Sequence, residues 1–460
     1  MATTTGPIHP DAVRRPRGES QHPAPEQSRQ PESPPQREPL SGAYFWLVVF
    51  FVVYCARPED WIPGLRLFPL AKISGIFAAL ALVLSVGRSK RRIQDLPPEV
   101  WFTLLLTGWL IASSMLSPIW RGGALQQTLD FAKLLVAMLV GMLVVTSVVR
   151  LRRLLFVQAA SVVVVSAISM EVGHSHLRVN GVLGGMYGNP NDLAFAIALT
   201  VPLCFAFTLR NTRTIIKAAW AGAALVMAAT LLLTGSRGGL ITFGIATLVC
   251  VWHFGVQGKR PLLVLGTIVA ALALFVVEGG IVTQRFADIS ANDSQTEAHA
   301  SYEERRLLIG LSMHAIADHP LFGLGPGDFT VYSKMWREVH MAYLQVAVEG
   351  GVPALIFYLL IFWRGFANLR RLRHMDLDAE TQLFAWALHG TLVGFLVGAL
   401  FAPEAYQYFP FFTVTYTAVL RATVEEQSRA ELLSAGESGP ASAGHQARRI
   451  RWLGWAGAAR

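Results

Sequence analysis

Residues 305–351 read RRLLIGLSMHAIADHPLFGLGPGDFTVYSKMWREVHMAYLQVAVEGG. Two adjacent arginines, three histidines and a Gly-rich GLGPG turn gather here, and the stretch ends by leading into an apolar run. Its surroundings differ in kind, because most of the remaining chain is apolar segments punctuated by short basic turns. Such runs, of about 17 to 22 residues, are long enough to cross roughly 30 Å of hydrocarbon as helix. A composition of 53% hydrophobic and 15% charged residues is far from that of a soluble domain. The sequence predicts an all-α, polytopic helical membrane protein. Residues 305–351 are then the second half of its longest outward connection and the return into the membrane.

Working outward, twelve spans are expected near 41–56, 67–87, 99–116, 128–149, 154–172, 193–209, 218–234, 239–256, 261–279, 342–363, 382–402 and 408–424. The connections 88–92, 150–153, 210–217, 258–260 and 364–373 carry 16 Lys and Arg, and the alternate short ones, 57–66, 117–127, 173–192, 235–238 and 403–410, carry 5. Basic loops stay on the cytoplasmic side, so both termini are expected in the cytoplasm. One large periplasmic loop, about 280–341, then lies between spans 9 and 10. The net charge of +9 is a topological signal on this reading, and no nucleic-acid partner is expected. Cys55, Cys204 and Cys250 all fall in apolar runs and imply no disulfide framework.

Residues 1–40 hold nine prolines, with five arginines balancing five acids. That composition has no apolar face to pack and reads as a disordered cytoplasmic tail; it does not read as a signal peptide. Residues 41–424 form the membrane domain, and 425–460 a cytoplasmic C-terminal tail. No internal repeat is visible, and the central connection 210–217 is short where a two-half transporter would have a long one. The asymmetry points to an outward-facing active site.

Four motifs carry the chemistry. In GNPNDLA, residues 188–194, Asn189, Pro190, Asn191 and Asp192 are turn chemistry followed by a helix cap, with Asp192 expected to accept from the first amides. A capped span is a sufficient explanation of that motif, although Gly184 and Gly185 before it would permit close backbone approach to a ligand. His174 and His176 form an H-x-H without a third ligand, so no metal is expected. In residues 234–240, TGSRGGL, Arg237 falls near the membrane plane, where an unpaired guanidinium is expensive. Snorkelling to the surface is the bland account; Gly238 and Gly239 opening space for a bulky anion is the functional one, since arginine's fork suits phosphate.

Arg305 and Arg306 are expected to open a helix that stops before His319 and Pro320. With apolar residues on most sides, it should lie against the membrane or the spans. Gly323, Gly325 and Gly327 form a tight turn whose spacing matches neither nucleotide fingerprint. His340 precedes a helix from Met341 to about Trp363, with Gly350, Gly351 and Pro353 expected to kink it one to two turns in. His340 thus falls at the outer boundary, on the same side as Arg237 and Arg305.

Taken in order, GNPNDLA (188–194), SRGG (236–239), R-x13-HPLFGLGPG-x-F (305–329) and His340 resemble the O-antigen ligase and polysaccharide polymerase superfamily of bacterial envelopes. The resemblance spans roughly residues 44–424. The family's histidine motif is similar to H-[NSQ], nine residues, then G-x-x-[GTY]; His340 and Gly351 match it, and Met341 and Ala354 depart from it. The resemblance implies a metal-independent, inverting glycosyltransferase of the bacterial inner membrane that needs no cofactor. Its partners would be an undecaprenyl-diphosphate-linked glycan donor, a lipid A-core or growing-glycan acceptor, and membrane lipids. His340 would be the general base and Arg237, Arg305 and Arg306 would hold the donor diphosphate. Asn189, Asn191, Asp192, Gly325, Gly327 and Gly351 would support them. A polysaccharide polymerase, a protein O-oligosaccharyltransferase and a lipid-glycan transporter are the alternative readings.

The loop asymmetry makes a topological prediction. In a cysteine-free background, a cysteine at Thr296 should react with an impermeant thiol reagent added outside intact cells, and one at Ser89 should not. The reverse pattern would overturn the assigned orientation.

Overall fold

The structure, a computed structural model, describes residues 40–62, 64–85, 91, 96–173, 187–273, 276, 297–335 and 337–437. The expectations for the Pro-rich tail, for His174, His176, Gly184 and Gly185, and for residues 277–296 lie outside these. Among the described residues the chain is helical, with no strand. In chain order the helices are α1 Ser41–Ala56, α2 Leu70–Ser85, α3 Pro98–Leu116, α4 Arg121–Val144, α5 Val148–Gly173, α6 Pro190–Leu209 and α7 Thr214–Thr234. They continue with α8 Arg237–Cys250, prolonged by a π turn Val251–Gln257, α9 Pro261–Ala273, α10 Glu297–Asp318, α11 Ala342–Leu372, α12 Ala379–Gly398 and α13 Tyr408–Glu437.

A helix stands at each of the twelve places where a span was expected. Eight of them, α3 to α8, α11 and α12, are long and apolar enough to cross a membrane; α1, α2 and α9 are shorter apolar helices. Helix α13 continues to Glu437, past residue 424 where a tail was expected to begin. The outward stripe of α11, Val352, Ile356, Leu359 and Trp363, is exposed at helical spacing, as a lipid-facing surface requires. Its opposite side packs Tyr358 and Phe362 against Phe395 and Phe411.

Helix α6 runs through the interior, with most of its residues buried. Close approach to α6 and α8 is permitted by glycines along α12: a Cβ on Gly390 would lie 2.9 Å from Cys250, one on Gly394 2.9 Å from Ala246, and one on Gly398 2.4 Å from Phe195. Small residues at such seams let helix backbones meet where no hydrophobic effect draws them together.

The connections collect at two ends. At one end Arg91 donates to the carbonyls of Met142 and Val145 and pairs with Glu426. Arg152 and Arg210 share Glu380 there, and Arg371 faces Glu425. At the other end Ser117 donates to Asp328 and the Ala342 amide to Ala399 O. Arg91 and the basic connections 150–153, 210–217 and 364–373 therefore share one end, and the turns that bear the candidate site residues share the other.

The decisive local feature is a break in α11. Gly351 has φ 76° and ψ 178°, a conformation open only to glycine. The break falls about 2.5 turns into the helix, deeper than expected, and at the glycine rather than at Pro353. Backbone groups freed by a break inside an apolar bundle must find partners, and the turn that follows α10 supplies them. Leu324 and Gly325 amides donate to Val348 O and Glu349 O, and the Val352 amide donates to Pro320 O. Helix α3 completes the set: Trp109 Nε1 donates to Gly350 O and Leu321 O, and Ser113 Oγ reaches Phe322 O at 2.6 Å and Glu349 O at 2.8 Å.

A methyl group at Gly351 would sit 2.1 Å from Leu321 O and would force a φ that L-residues avoid. Strain and overlap together should cost at least about 2 kcal/mol. Gly351→Ala should therefore lower the thermal midpoint in detergent by several degrees. Gly108→Ala, on α3 where a Cβ meets nothing within 4 Å, should leave it unchanged or raise it. Equal midpoints for the two variants would show that the break does not hold the fold.

Candidate functional site

Four segments build the site at the end away from the basic loops. The first is the start of α6. Asn189 is the N-cap, accepting from the amides of Asn191 at 2.7 Å and Asp192 at 3.2 Å, with Pro190 opening the helix. This corrects the expectation that Asp192 is the cap. Asp192 instead accepts from Asn189 Nδ2 at 2.9 Å and turns towards Glu404. Asn191 is a half-buried residue of the same first turn.

The second is the start of α8, where Ser236 caps the helix by accepting from the Gly239 amide and Arg237 is the first helical residue. Gly238 and Gly239 do not open space. A Cβ on Gly238 would lie 2.9 Å from Phe401, and one on Gly239 2.5 Å from Ala194. The glycines wedge this turn against the start of α6 and the turn after α12, and that packing places Arg237.

The third is α10. It begins at or before Glu297, so Arg305 and Arg306 lie inside the helix rather than opening it. Arg305 faces both Arg237 and His340, and surrounding protein together with Arg237 weakens the hold of its guanidinium on its proton. Arg306, ~100° further round the helix, is not among the groups that act on His340.

The fourth is the extended segment 337–340. Arg337 pairs with Glu304 of α10 at 3.2 Å. Val339 is buried. His340 is half-buried; surrounding protein lowers its pKa below the ordinary 6.5, the charges of Arg305 and Arg337 lower it further, and Glu304 opposes them. A neutral imidazole at neutral pH is the form that accepts a proton. Met341 occupies the N-cap of α11 without a side-chain acceptor, and Ala399 O takes the Ala342 amide instead.

The glycine turn contributes differently. The amides of Leu324 and Gly325 are used on the broken helix, and that of Gly327 faces the Glu349 carboxyl. None of these three amides is left for a phosphate. Gly325 and Gly351 are thus brought together as packing, on the α3 side of the break. Asp328 anchors the end of the turn, accepting from Ser117 Oγ at 2.6 Å and the Trp120 amide at 3.2 Å.

Sequence reasoning missed the acids. Glu338 is exposed, yet surrounding protein, then Asp192, pushes its carboxyl above the usual range. Glu404 is 3% exposed, and burial, then Asp192, pushes it well above that range. A usable signal existed: an acid within an otherwise apolar stretch is costly and marks function. The site thus gathers Arg305, Arg337 and Glu304 around His340, with Arg237 next to Arg305, and Asp192, Glu338 and Glu404 act on one another as a group of acids.

Residues 222–359 match a family model described as O-antigen ligase. The match takes in Arg237, Arg305, His340 and Gly351, and is consistent with the superfamily that the motifs resemble. No curated protein matches the chain.

The electrostatics around His340 predict a pH profile. If the neutral imidazole is the active form, the rate falls as pH drops through its pKa, so the acid limb should lie below pH 6.5. Arg305→Gln removes a charge that lowers this pKa and should move the limb upward. Glu304→Gln removes one that raises it and should move the limb downward. A limb that neither variant moves would mean that another group titrates.

Proposed function

With the O-antigen ligase match over residues 222–359 as premise, we propose that this chain is a membrane glycosyltransferase of the ligase and polymerase type. It moves a glycan from an undecaprenyl-diphosphate-linked donor to an acceptor hydroxyl on the periplasmic face. The observation that carries the reading is a half-buried histidine, biased towards its neutral form, beside Arg305 of α10, which in turn faces Arg237 of α8.

The chemistry divides among these groups. His340 takes the proton of the acceptor hydroxyl as its oxygen attacks the anomeric carbon. The bond from that carbon to the diphosphate breaks on the opposite face, with inversion, and its electron pair passes to a phosphate oxygen. Arg237 and Arg305 stabilise the charge that develops there, so the leaving group is met by guanidinium forks and no metal is called for. Donor and acceptor meet at the membrane boundary, where a lipid diphosphate headgroup lies.

General-base catalysis supplies about 10²- to 10⁴-fold in rate. His340→Ala should lose at least that much transfer from purified lipid-linked donor at unchanged abundance, while His314→Ala keeps near wild-type activity. Arg237→Lys and Arg305→Lys should each raise the donor KM, because lysine offers a point charge without the fork, and chelators should have little effect. Retention of more than about a tenth of the wild-type rate by His340→Ala would remove it from the mechanism. A deletion strain then separates acceptors: loss of long chains with lipid-linked polymer accumulating indicates a ligase, and a single capping repeat on the core indicates a polymerase.

A further inference from the structure

The space between α8 and α9 has no part in the transfer step just described. Helix α9 is apolar, yet none of its residues Pro261–Ala273 is buried. It meets the core through Leu263 and comes closest at Gly255 of the π turn, where a Cβ would lie 2.5 Å from Val264. Beyond that contact the two helices part around an open groove of about 520 Å³, within the range of about 300–1,000 Å³ of ligand sites. Val256 forms one wall, and Pro261, Val264, Leu265 and Ile268, one face of α9 at helical spacing, form the other. Val256, Leu265 and Ile268 are each more than half exposed.

One end of the groove is cationic. Helix α8 and its π turn run 21 residues, ~30 Å, from Arg237 to Gln257, so the turn 258–260 lies at the opposite end of the bundle from the candidate site. Arg373, on the basic connection 364–373, stands close enough to act on His253 of the π turn. Lys259 lines the groove and is exposed. Neither Lys259 nor Arg260 has an ion-pair partner among the described residues, and Arg260 Nη1 has no hydrogen-bond acceptor there. The amides of Gly258, Lys259 and Arg260 are spent on the carbonyls of His253, Val256 and Gly255, so side-chain charge is what the turn offers a guest. Lys259 holds φ 53°, a conformation that glycine adopts freely and a lysine does not. A cation kept at a strained position beside an apolar groove calls for an anion with a hydrocarbon tail.

We propose that this groove binds one anionic phospholipid, with an acyl chain along the α9 face and the phosphate on Lys259 and Arg260. A bilayer supplies such a molecule at this depth, and the groove's apolar length and terminal charge match tail and headgroup in that order. The lipid-linked donor is a different guest, since its diphosphate is assigned to Arg237 and Arg305, ~30 Å away at the far end of α8. A bound phospholipid fills space that α9 leaves open and braces the end of α8 remote from the candidate site. It takes no part in the chemistry, so the inference stands or falls apart from the transferase reading.

Native mass spectrometry of the full-length protein in detergent, titrated with phosphatidylglycerol or phosphatidylethanolamine of the same chains, tests the site. One phosphatidylglycerol should bind saturably, about fivefold or more tighter than phosphatidylethanolamine. Lys259→Gln should remove that preference, and Lys259→Arg should retain it. Arg213→Gln, at an exposed position on another basic connection, should leave it unchanged. Ile268→Trp, at an exposed groove position where added bulk does not disturb the core, should block both lipids and leave the thermal midpoint of the lipid-free protein unchanged. Inorganic phosphate at the same concentrations should not displace phosphatidylglycerol. Equal affinity for the two lipids, or equal effects of Arg213→Gln and Lys259→Gln, would reduce the site to diffuse surface charge and overturn it. So would lipid binding that Ile268→Trp leaves intact, or displacement by inorganic phosphate. A dimer that Ile268→Trp abolishes would give the groove to a second copy of the chain and overturn the phospholipid assignment.

Discussion

A helix that breaks inside an apolar bundle has to satisfy its own backbone. At Gly351 the ladder of α11 stops, and the carbonyls of Val348, Glu349 and Gly350 and the amide of Val352 are taken up by residues 320–325 and by Trp109 and Ser113 of α3. Each such bond contributes only about 1 kcal/mol net, but leaving a buried group unpaired costs about 1–3. The break and the turn therefore form together or not at all. Phe322 stacked on Trp109 at 4.9 Å seals the joint. The end of α10 is thus bound to α11 directly, and the chain between them, including 337–340, is held at both ends.

That closure explains how a site assembles on loops without depending on loop rigidity. Arg337 is tied to α10 through Glu304, and Ala342 to the end of α12 through Ala399. The start of α8 is wedged against α6 and Phe401 by two glycines. Arg237, Arg305 and the anchored segment that carries His340 are thereby brought to the same end of the bundle.

Packing among the helices follows from the same solvent. Lipid is as apolar as leucine, so helices associate through close contact and polar pairing. The glycine seam of α12 against α6 and α8 is one expression of this. Another is the buried Glu99 on α3, which accepts from Asn368 on α11, itself bonded to Thr417 on α13. Aromatic clusters around Phe362 and Phe411 fill what remains.

The sequence alone determined the helical class and the places of the helices, and it marked residues 188–194, 236–239 and 305–351 as the candidates for chemistry. These are local properties: an apolar run of span length is helical wherever it lies, and loop charge is read off directly. His340, Arg237 and Arg305 were legible because polar residues stand out in so apolar a chain. Tertiary structure decided the rest. Whether Gly238 opens space or is filled by Phe401 depends on a residue more than a hundred positions away, and so does the pairing of Asp192 with Glu404. The glycine turn matched neither nucleotide fingerprint, and only the broken helix opposite shows where its amides go. Arg305 and Arg306 are adjacent in sequence; the rotation of α10 decides that only Arg305 is among the groups that act on His340. Long-range contacts of this sort are set by how helices pack, which no local pattern encodes.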